Sequence, residues 1–361
     1  LMLQVLDMFK SIEEQTEKPK YPRINSWCGW DPLEEVWVGR HYPSDYWDSL
    51  KNKKKITDPL KRISDETEED YQSLIKILKD FGVKKILRPE FLKNIKYGDD
   101  QPSHATNPRD HHFVYGNKLW RFEDKKFYDD LYNEYKNEGH AVYDPYTSTT
   151  DPKLIVSHNL NAPACVRFGD AILIDQLPYN QYKWFKHNFK DTKLFVSVFG
   201  GHSDGAFCPV KPNLIVTLWD YKLNFKDTIF KGWDFLFLEN ESFEKVNPIW
   251  GKMPQMLRKT NNRWYLQGEE DNNEFINFVD TYLNDWVGYC AESVFDVNML
   301  VLDQHNVVVN SYNKKVFDMF KKHKIEPIIC NLRHRFFWDG GLHCNTVDIR
   351  RRGKKQRYLN Y

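Results

Sequence analysis

Apolar and polar positions in this chain keep returning to one arrangement. A short apolar run meets a tight turn of Gly, Asp or Asn and is followed by a second apolar run. It occurs as "HHFVYGNKLWRF" around Gly116 and Asn117, and as "ACVRFGDAILID" around Gly169 and Asp170. It returns as "AFCPVKPNLIVTLW" around Lys211, Pro212 and Asn213, and as "NMLVLDQHNVVVNS" between Asp303 and Asn306. The segment "WDPLEEVWVGR" carries a less complete version. Gly-Asn and Gly-Asp pairs supply the positive φ that two-residue hairpin turns require. Most copies are followed by a helical pattern and a short apolar strand. "DETEEDYQSLIKILKDFG" puts Tyr71, Leu74, Ile75, Ile77 and Leu78 at helical spacing, stops at Gly82 and leads into "VKKILRP". "KKVFDMFKKHK" leads into "IEPIIC" in the same way. The unit is therefore hairpin, helix, strand, repeated about five times. Five such units set round an axis would turn their hairpin ends toward a central cavity.

No stretch rich in Gly, Ser or Pro divides the chain, so residues 1–361 are expected to form one domain, with residues 1–24 as an amphipathic helical extension. Hydrophobic residues make up 41% and charged residues 29%, the balance of a soluble globular protein. A net charge of +1 creates no global field toward nucleic acid or membrane. The cluster Arg350, Arg351 and Arg352 is local, either a solvated edge or a phosphate or partner site. The N-terminal residues show no secretory pattern, and no run approaches the ~18 apolar residues of a membrane span. Six cysteines (Cys28, Cys165, Cys208, Cys290, Cys330, Cys344) are scattered without a C-x-x-C pair. That spacing argues against a zinc site or a disulfide framework and fits reduced thiols in a cytoplasm.

The polar groups with chemical potential stand at the turns that lead into hairpins. Asp110 lies in "NPRDHHF", His202 and Asp204 in "GGHSDGAF", and Cys344 in "DGGLHCNT". Each has a plain structural reading: a lone Cys is commonly a small buried hydrophobe, and His or Asp beside Gly commonly forms a turn. In extended chain, residues i and i+2 share a face. By that rule His202 and Asp204 face one cavity, whereas His343 and Cys344 project oppositely, making His202 the expected base. Three such turns in the same position of the repeat point to a Cys–His–carboxylate site.

The motifs "GGLHCNTVDIRRRG", "WDPLEEVWVGR", "NPRDHHFVYGN", "NAPACVRFG", "HSDGAF" and "NMLVLDQHNVVV" together resemble the glycine amidinotransferase family, within the guanidine-modifying enzymes that include arginine deiminases. The resemblance runs from about Asn25 to Tyr358. It implies a five-bladed α/β-propeller (pentein) of ββαβ modules, with Cys344 as nucleophile, His202 as acid and base, and Asp110 and Asp204 as the guanidinium clamp. Asn161 falls where the family has the aspartate that orients the histidine; an Asn can orient an imidazole but adds no charge. Tyr221, with Lys222 beside it, falls near the family's arginine for the donor carboxylate. Glu292 and Ser293 fall near the serine that binds the donor's amino-acid end. The implied reaction moves an amidino group from L-arginine to glycine or another amine through an amidino-cysteine, with no metal or organic cofactor. Two other readings stay open: a guanidine hydrolase of deiminase type, and a non-catalytic homologue that binds a guanidino ligand. The expected partners are small molecules, with a homodimer left open.

Overall fold

A computed structural model describes residues 23–50, 53–90, 105–123, 126–146, 160–175, 177, 179–197, 202–218, 229–238, 266–283 and 292–361. The expected helical extension lies almost wholly outside the described residues.

The turns behave as their chemistry requires. At β3 (His112–Tyr115) and β4 (Lys118–Arg121), Gly116 takes φ 59°; at β6 (Cys165–Phe168) and β7 (Ala171–Asp175), Gly169 takes φ 71°. At β9 (Phe207–Lys211) and β10 (Leu214–Thr217), Asn213 holds φ 70°. The first two positions are glycine for a second reason. A Cβ on Gly116 would lie 2.7 Å from Trp27, and one on Gly169 would lie 2.1 Å from the carbonyl of Gln356. Both chain ends thus run against these hairpin tips: Ser26 bridges Gly116, Cys28 bridges Phe168, and Gly169 bridges Arg357.

Among the described residues each hairpin gains a third strand in parallel, giving five three-stranded sheets of one plan. β5 (Val142–Tyr143) joins β4, and β8 (Lys193–Ser197) joins β7. β11 (Asp234–Phe237) joins β10. β14 (Glu326–Ile329) joins β13 (Asn306–Val309), whose hairpin partner is β12 (Leu300–Val301). In these four sheets the crossover helices that are described are α2 (Asp129–Asn137), α3 (Tyr179–Asn188) and α6 (Lys314–Lys322), while α4 (Asn273–Tyr282) follows β11 in the chain. Asn313 caps α6 by accepting N–H bonds from Lys315 and Val316.

"WDPLEEVWVGR" is incomplete because its hairpin partner lies at the other end of the chain. β1 (Leu33–Val38) pairs antiparallel with β15 (Thr346–Arg351), and β2 (Lys85–Leu87) joins β1 in parallel. α1 (Lys54–Phe81) connects β1 to β2, ends at Gly82 with φ 97°, and buries Ile63, Tyr71, Leu74 and Leu78. One sheet therefore contains both the first and the last of the described strands, so the repeat closes on itself. Five sheets of this plan match the expected α/β-propeller of ββαβ modules. Among the described residues, no helix is long and apolar enough to cross a membrane.

Where the inner strands meet, the core is charged. Asp348 on β15 is fully buried and sits 2.7 Å from Arg109 and 2.6 Å from Arg167, with Arg351 also paired to it. Burial alone would raise the Asp348 carboxyl, but the three guanidinium groups hold it well below the carboxylate range. This knot fastens β15, β6 and the turn before β3 to one carboxylate. A cavity of about 50 Å³ lies against it, lined by Arg109, Arg167 and Arg351 together with Asp204 and His343.

Candidate active site

Every hairpin after the first is preceded by a short helical segment or turn, and those segments carry the polar groups. The 3-10 turn Pro108–Asp110 precedes β3, Ala162–Ala164 precedes β6, and Ser203–Gly205 precedes β9. α5 (Glu292–Val297) precedes β12, and the turn at residues 342–345 precedes β15. Cross-links bind them together. The Ser203 hydroxyl donates to the carbonyl of Ala164 at 3.2 Å, and the Arg109 N–H donates to the carbonyl of Cys344 at 3.2 Å. Asn345 Nδ2 donates to Asn107 Oδ1 at 2.6 Å, and Asn107 Nδ2 in turn donates to the carbonyl of Trp338.

The two glycines of "DGGLHCNT" let this network close. A Cβ on Gly340 would stand 1.9 Å from Asn107 Oδ1, and one on Gly341 would stand 2.8 Å from Asn298 Oδ1.

These turns bring Cys344, Asp204 and Asp110 into one group: the sulfur and one oxygen of each carboxylate lie within 4.8 Å of one another. They form the candidate metal-binding set among the described residues, and the same spacing suits an organic cation. The Cys344 thiol donates to Asp204 Oδ2 at 3.2 Å. His343 Nδ1 lies 3.0 Å from the same oxygen and donates to it, since an ionised carboxylate only accepts. Asp110 Oδ1 and Asp204 Oδ1 are buried without a hydrogen-bond partner. Depth is graded: the Asp204 side chain is 4% exposed, that of Asp110 25%, and that of His202 53%.

The electrostatics follow from this packing. Burial, with Asp204 and Asp110 facing the sulfur, pushes the Cys344 thiol well above its ordinary range. Asp110 is raised to about 6, chiefly by burial, with His202 opposing and Asp204 adding to the rise. Burial also acts to raise Asp204, yet the bond and charge of His343, together with His202, bring it below the ordinary value. His202 would be lowered by burial, but Asp110, Asp204 and Asp339 raise it. His343 is lowered by burial and by nearby Arg109, with the bond and charge of Asp204 opposing.

His202 Nδ1 lies 3.8 Å from Asp110 Oδ1, so these two expected site residues meet. The strand rule used for His343 and Cys344 does not hold. Residues 342–345 are a turn, not extended chain, and both side chains reach Asp204. His202 and Asp204 come together through a 3-10 turn rather than through strand alternation. Asn161 stands exposed just ahead of Ala162–Ala164, and the described hydrogen bonds include none between its side chain and His202. Glu292 is engaged elsewhere, accepting from Arg335 at 2.7 Å and from Ser311 at 2.9 Å. Ser293 Oγ is buried without a hydrogen-bond partner, on the helix whose Val294 crowds Gly205. Tyr221 and Lys222 lie outside the described residues.

Sequence reasoning missed Asn298. It lies inside the repeat "NMLVLDQHNVVV", and its Nδ2 donates to Cys344 Sγ at 3.0 Å. Its place ahead of a hairpin, like that of Asp110 and Asp204, was the available signal.

No protein-family model matches the chain. Among solved structures, the inosamine-phosphate amidinotransferase of Streptomyces griseus superposes with a TM-score of 0.63 at 20% identity, covering 93% of this chain and 99% of that one. The fold is thus the α/β fold of the penteins, to which the five repeated sheets already pointed. Among curated proteins, the mitochondrial glycine amidinotransferase of Xenopus laevis is 24% identical over 399 residues, covering 93% of this chain and 85% of its own length. The L-arginine:L-lysine amidinotransferase of Pseudomonas savastanoi pv. phaseolicola is 39% identical over 71 residues, 20% of each chain. The resemblance carried by the motifs therefore holds: along most of its length the chain is similar to amidinotransferases.

Proposed function

We propose that this protein transfers an amidino group from L-arginine to an amine through a covalent adduct on Cys344. The observation that carries the reading is the pair of buried oxygens on Asp110 and Asp204 that lack a hydrogen-bond partner, set beside that sulfur. A guanidinium is planar and cationic, and two carboxylates can clamp it through charge-assisted hydrogen bonds. In the free protein burial and the same two carboxylates hold the thiol protonated. A bound guanidinium would offset their charge, so the thiol would release its proton to solvent as the substrate arrives and take one back when the product leaves.

Thiolate attack on the central guanidinium carbon then forms the C–S bond. His202, whose protonated form is favoured by the carboxylates of Asp110, Asp204 and Asp339, gives its proton to the departing amine as the C–N bond breaks. Ornithine leaves and an amidino-cysteine remains. The neutral imidazole next takes a proton from the incoming amine, which attacks the same carbon and expels the thiolate. The new guanidino compound carries the transferred group, and His202 is again protonated. Glycine and lysine, named in the similar proteins, are the first acceptors to test.

Incubation with L-arginine and a panel of amines, with mass detection of products, tests the proposal. The expected result is a new guanidino compound, ornithine, and an amidino adduct on Cys344. Cys344→Ala should be inert, while Cys28→Ala, whose thiol is buried against Asp31, should keep most activity. Citrulline as the sole product would replace transfer by hydrolysis. Arginine binding without turnover would make the protein a guanidino binder. An adduct on another cysteine, or full activity in Cys344→Ala, would overturn the assignment.

A further inference from the structure

Asn298 is 1% exposed, and both ends of its side chain are spoken for. Oδ1 accepts the backbone N–H of His343 at 2.9 Å and that of Cys344 at 3.1 Å. Nδ2 donates to Cys344 Sγ at 3.0 Å and to the carbonyl of Asp204 at 3.3 Å. The partners fix which end of the amide is which. Two N–H donors demand the oxygen, so the amino group must face the sulfur.

The backbone at Asn298 is held as firmly as its side chain. Its N–H donates to the carbonyl of Val294 at 2.9 Å, and its carbonyl accepts from Asn310 Nδ2 at 2.9 Å. Asn310 Nδ2 also reaches the carbonyl of Phe295 at 2.8 Å, which ties the end of α5 to the end of β13. Gly341 leaves the space in which the cysteine turn can wrap onto this amide.

We infer that Asn298 is a further catalytic residue, whose Nδ2 hydrogen bond stabilises the Cys344 thiolate while its Oδ1 sets the turn that carries the sulfur. The inference rests on Cys344 being the nucleophile. Burial and two carboxylates oppose ionisation of that sulfur, and the Asn298 N–H is the neutral group that favours it. Because the donor is uncharged, it neither competes with a guanidinium for Asp110 and Asp204 nor repels it. The same N–H serves twice: it supports the attacking thiolate, and it supports the departing thiolate when the acceptor displaces the adduct.

The test is the pH dependence of Cys344 alkylation by iodoacetamide, followed by mass spectrometry on the full-length protein without arginine. Asn298→Ala removes the N–H that faces sulfur without adding a charge beside it. A lost hydrogen bond to a charged group corresponds to a thiolate fraction lower by about tenfold to a hundredfold, and so to an alkylation pKa higher by roughly one to two units. Asn310→Ala leaves the Asn298 side chain in place but removes its tether, and should give a smaller rise in the same direction. Thermal melts on both variants identify any that fail to fold. A role confined to packing predicts faster alkylation through exposure, with the pKa unmoved. That result in either folded variant would overturn the inference.

Alkylation needs neither arginine nor an amine. A wild type that forms no amidino adduct would defeat the proposed reaction while leaving the Asn298 effect on the thiol measurable.

Discussion

Asp204→Asn should move two measurements in opposite directions. The substitution keeps shape and removes one charge. Asp204 is the deeper of the two carboxylates, with its side chain 4% exposed against 25% for Asp110. Truncating one partner of a desolvated charge pair costs about 2–5 kcal/mol. At ~1.4 kcal/mol per decade, L-arginine affinity should fall by about 30-fold to several thousand-fold. The loss should exceed that of Asp110→Asn, because water near the more exposed carboxylate screens its contribution. The thiol should respond the other way. Asp204 accepts the S–H bond at 3.2 Å and, after burial, is the largest cause holding the thiol protonated. Without that charge, Cys344 should ionise at lower pH and alkylate faster near neutrality. Calorimetric titration of arginine into Cys344→Ala, with and without Asp204→Asn, measures affinity in the absence of turnover. Alkylation against pH in Asp204→Asn with Cys344 intact measures the thiol. Affinity unchanged in both aspartate variants, with the fold intact, would refute the clamp. A thiol pKa that rises in Asp204→Asn would refute the electrostatic account of the sulfur.

Arginine binding to Cys344→Ala should also weaken as pH falls through about 6, where Asp110 gains a proton and loses the charge that attracts the cation. Any proton that His202 gains adds positive charge and so cannot offset the loss; affinity that stays flat from pH 7 to 4.5 would remove Asp110 from the clamp. Asp348→Asn should destabilise the fold by about 3–5 kcal/mol, because three buried arginines lose their shared countercharge; a denaturant midpoint equal to wild type would contradict this. Gly340→Ala places a Cβ 1.9 Å from Asn107 Oδ1 and should cost about 1–3 kcal/mol by overpacking, with activity lost as the cysteine turn shifts; urea unfolding and turnover are the checks. Asn161→Asp should preserve or raise turnover by adding charge beside the histidine turn, and Asn161→Ala should slow it; a silent Asn161→Ala would leave the positioning of His202 to Asp110 and Asp204.

Much of this protein is legible in its amino-acid sequence, because the signals are local. Apolar runs flanking Gly116, Gly169 and Asn213 specify hairpins through backbone φ alone, and the helical spacing that ends at Gly82 specifies α1. The repeat count follows from the same signals, and with it the α/β class. The motifs around Asp110, His202, Asp204 and Cys344 are legible because their side chains stand at the same point of the repeat. Tertiary structure decided what depends on contacts between distant segments. β1 and β15 find each other only when the ring closes, so no local pattern could complete the first hairpin. A rule for extended chain assigns His343 and Cys344 opposite faces, and the turn at 342–345 puts both on Asp204. Asn298 reads as a residue ahead of a strand until the cysteine turn folds onto its amide. A residue type and its period fix the backbone's local path, but a side chain's charge state and partner depend on which groups share its burial, and only tertiary packing brings those groups together.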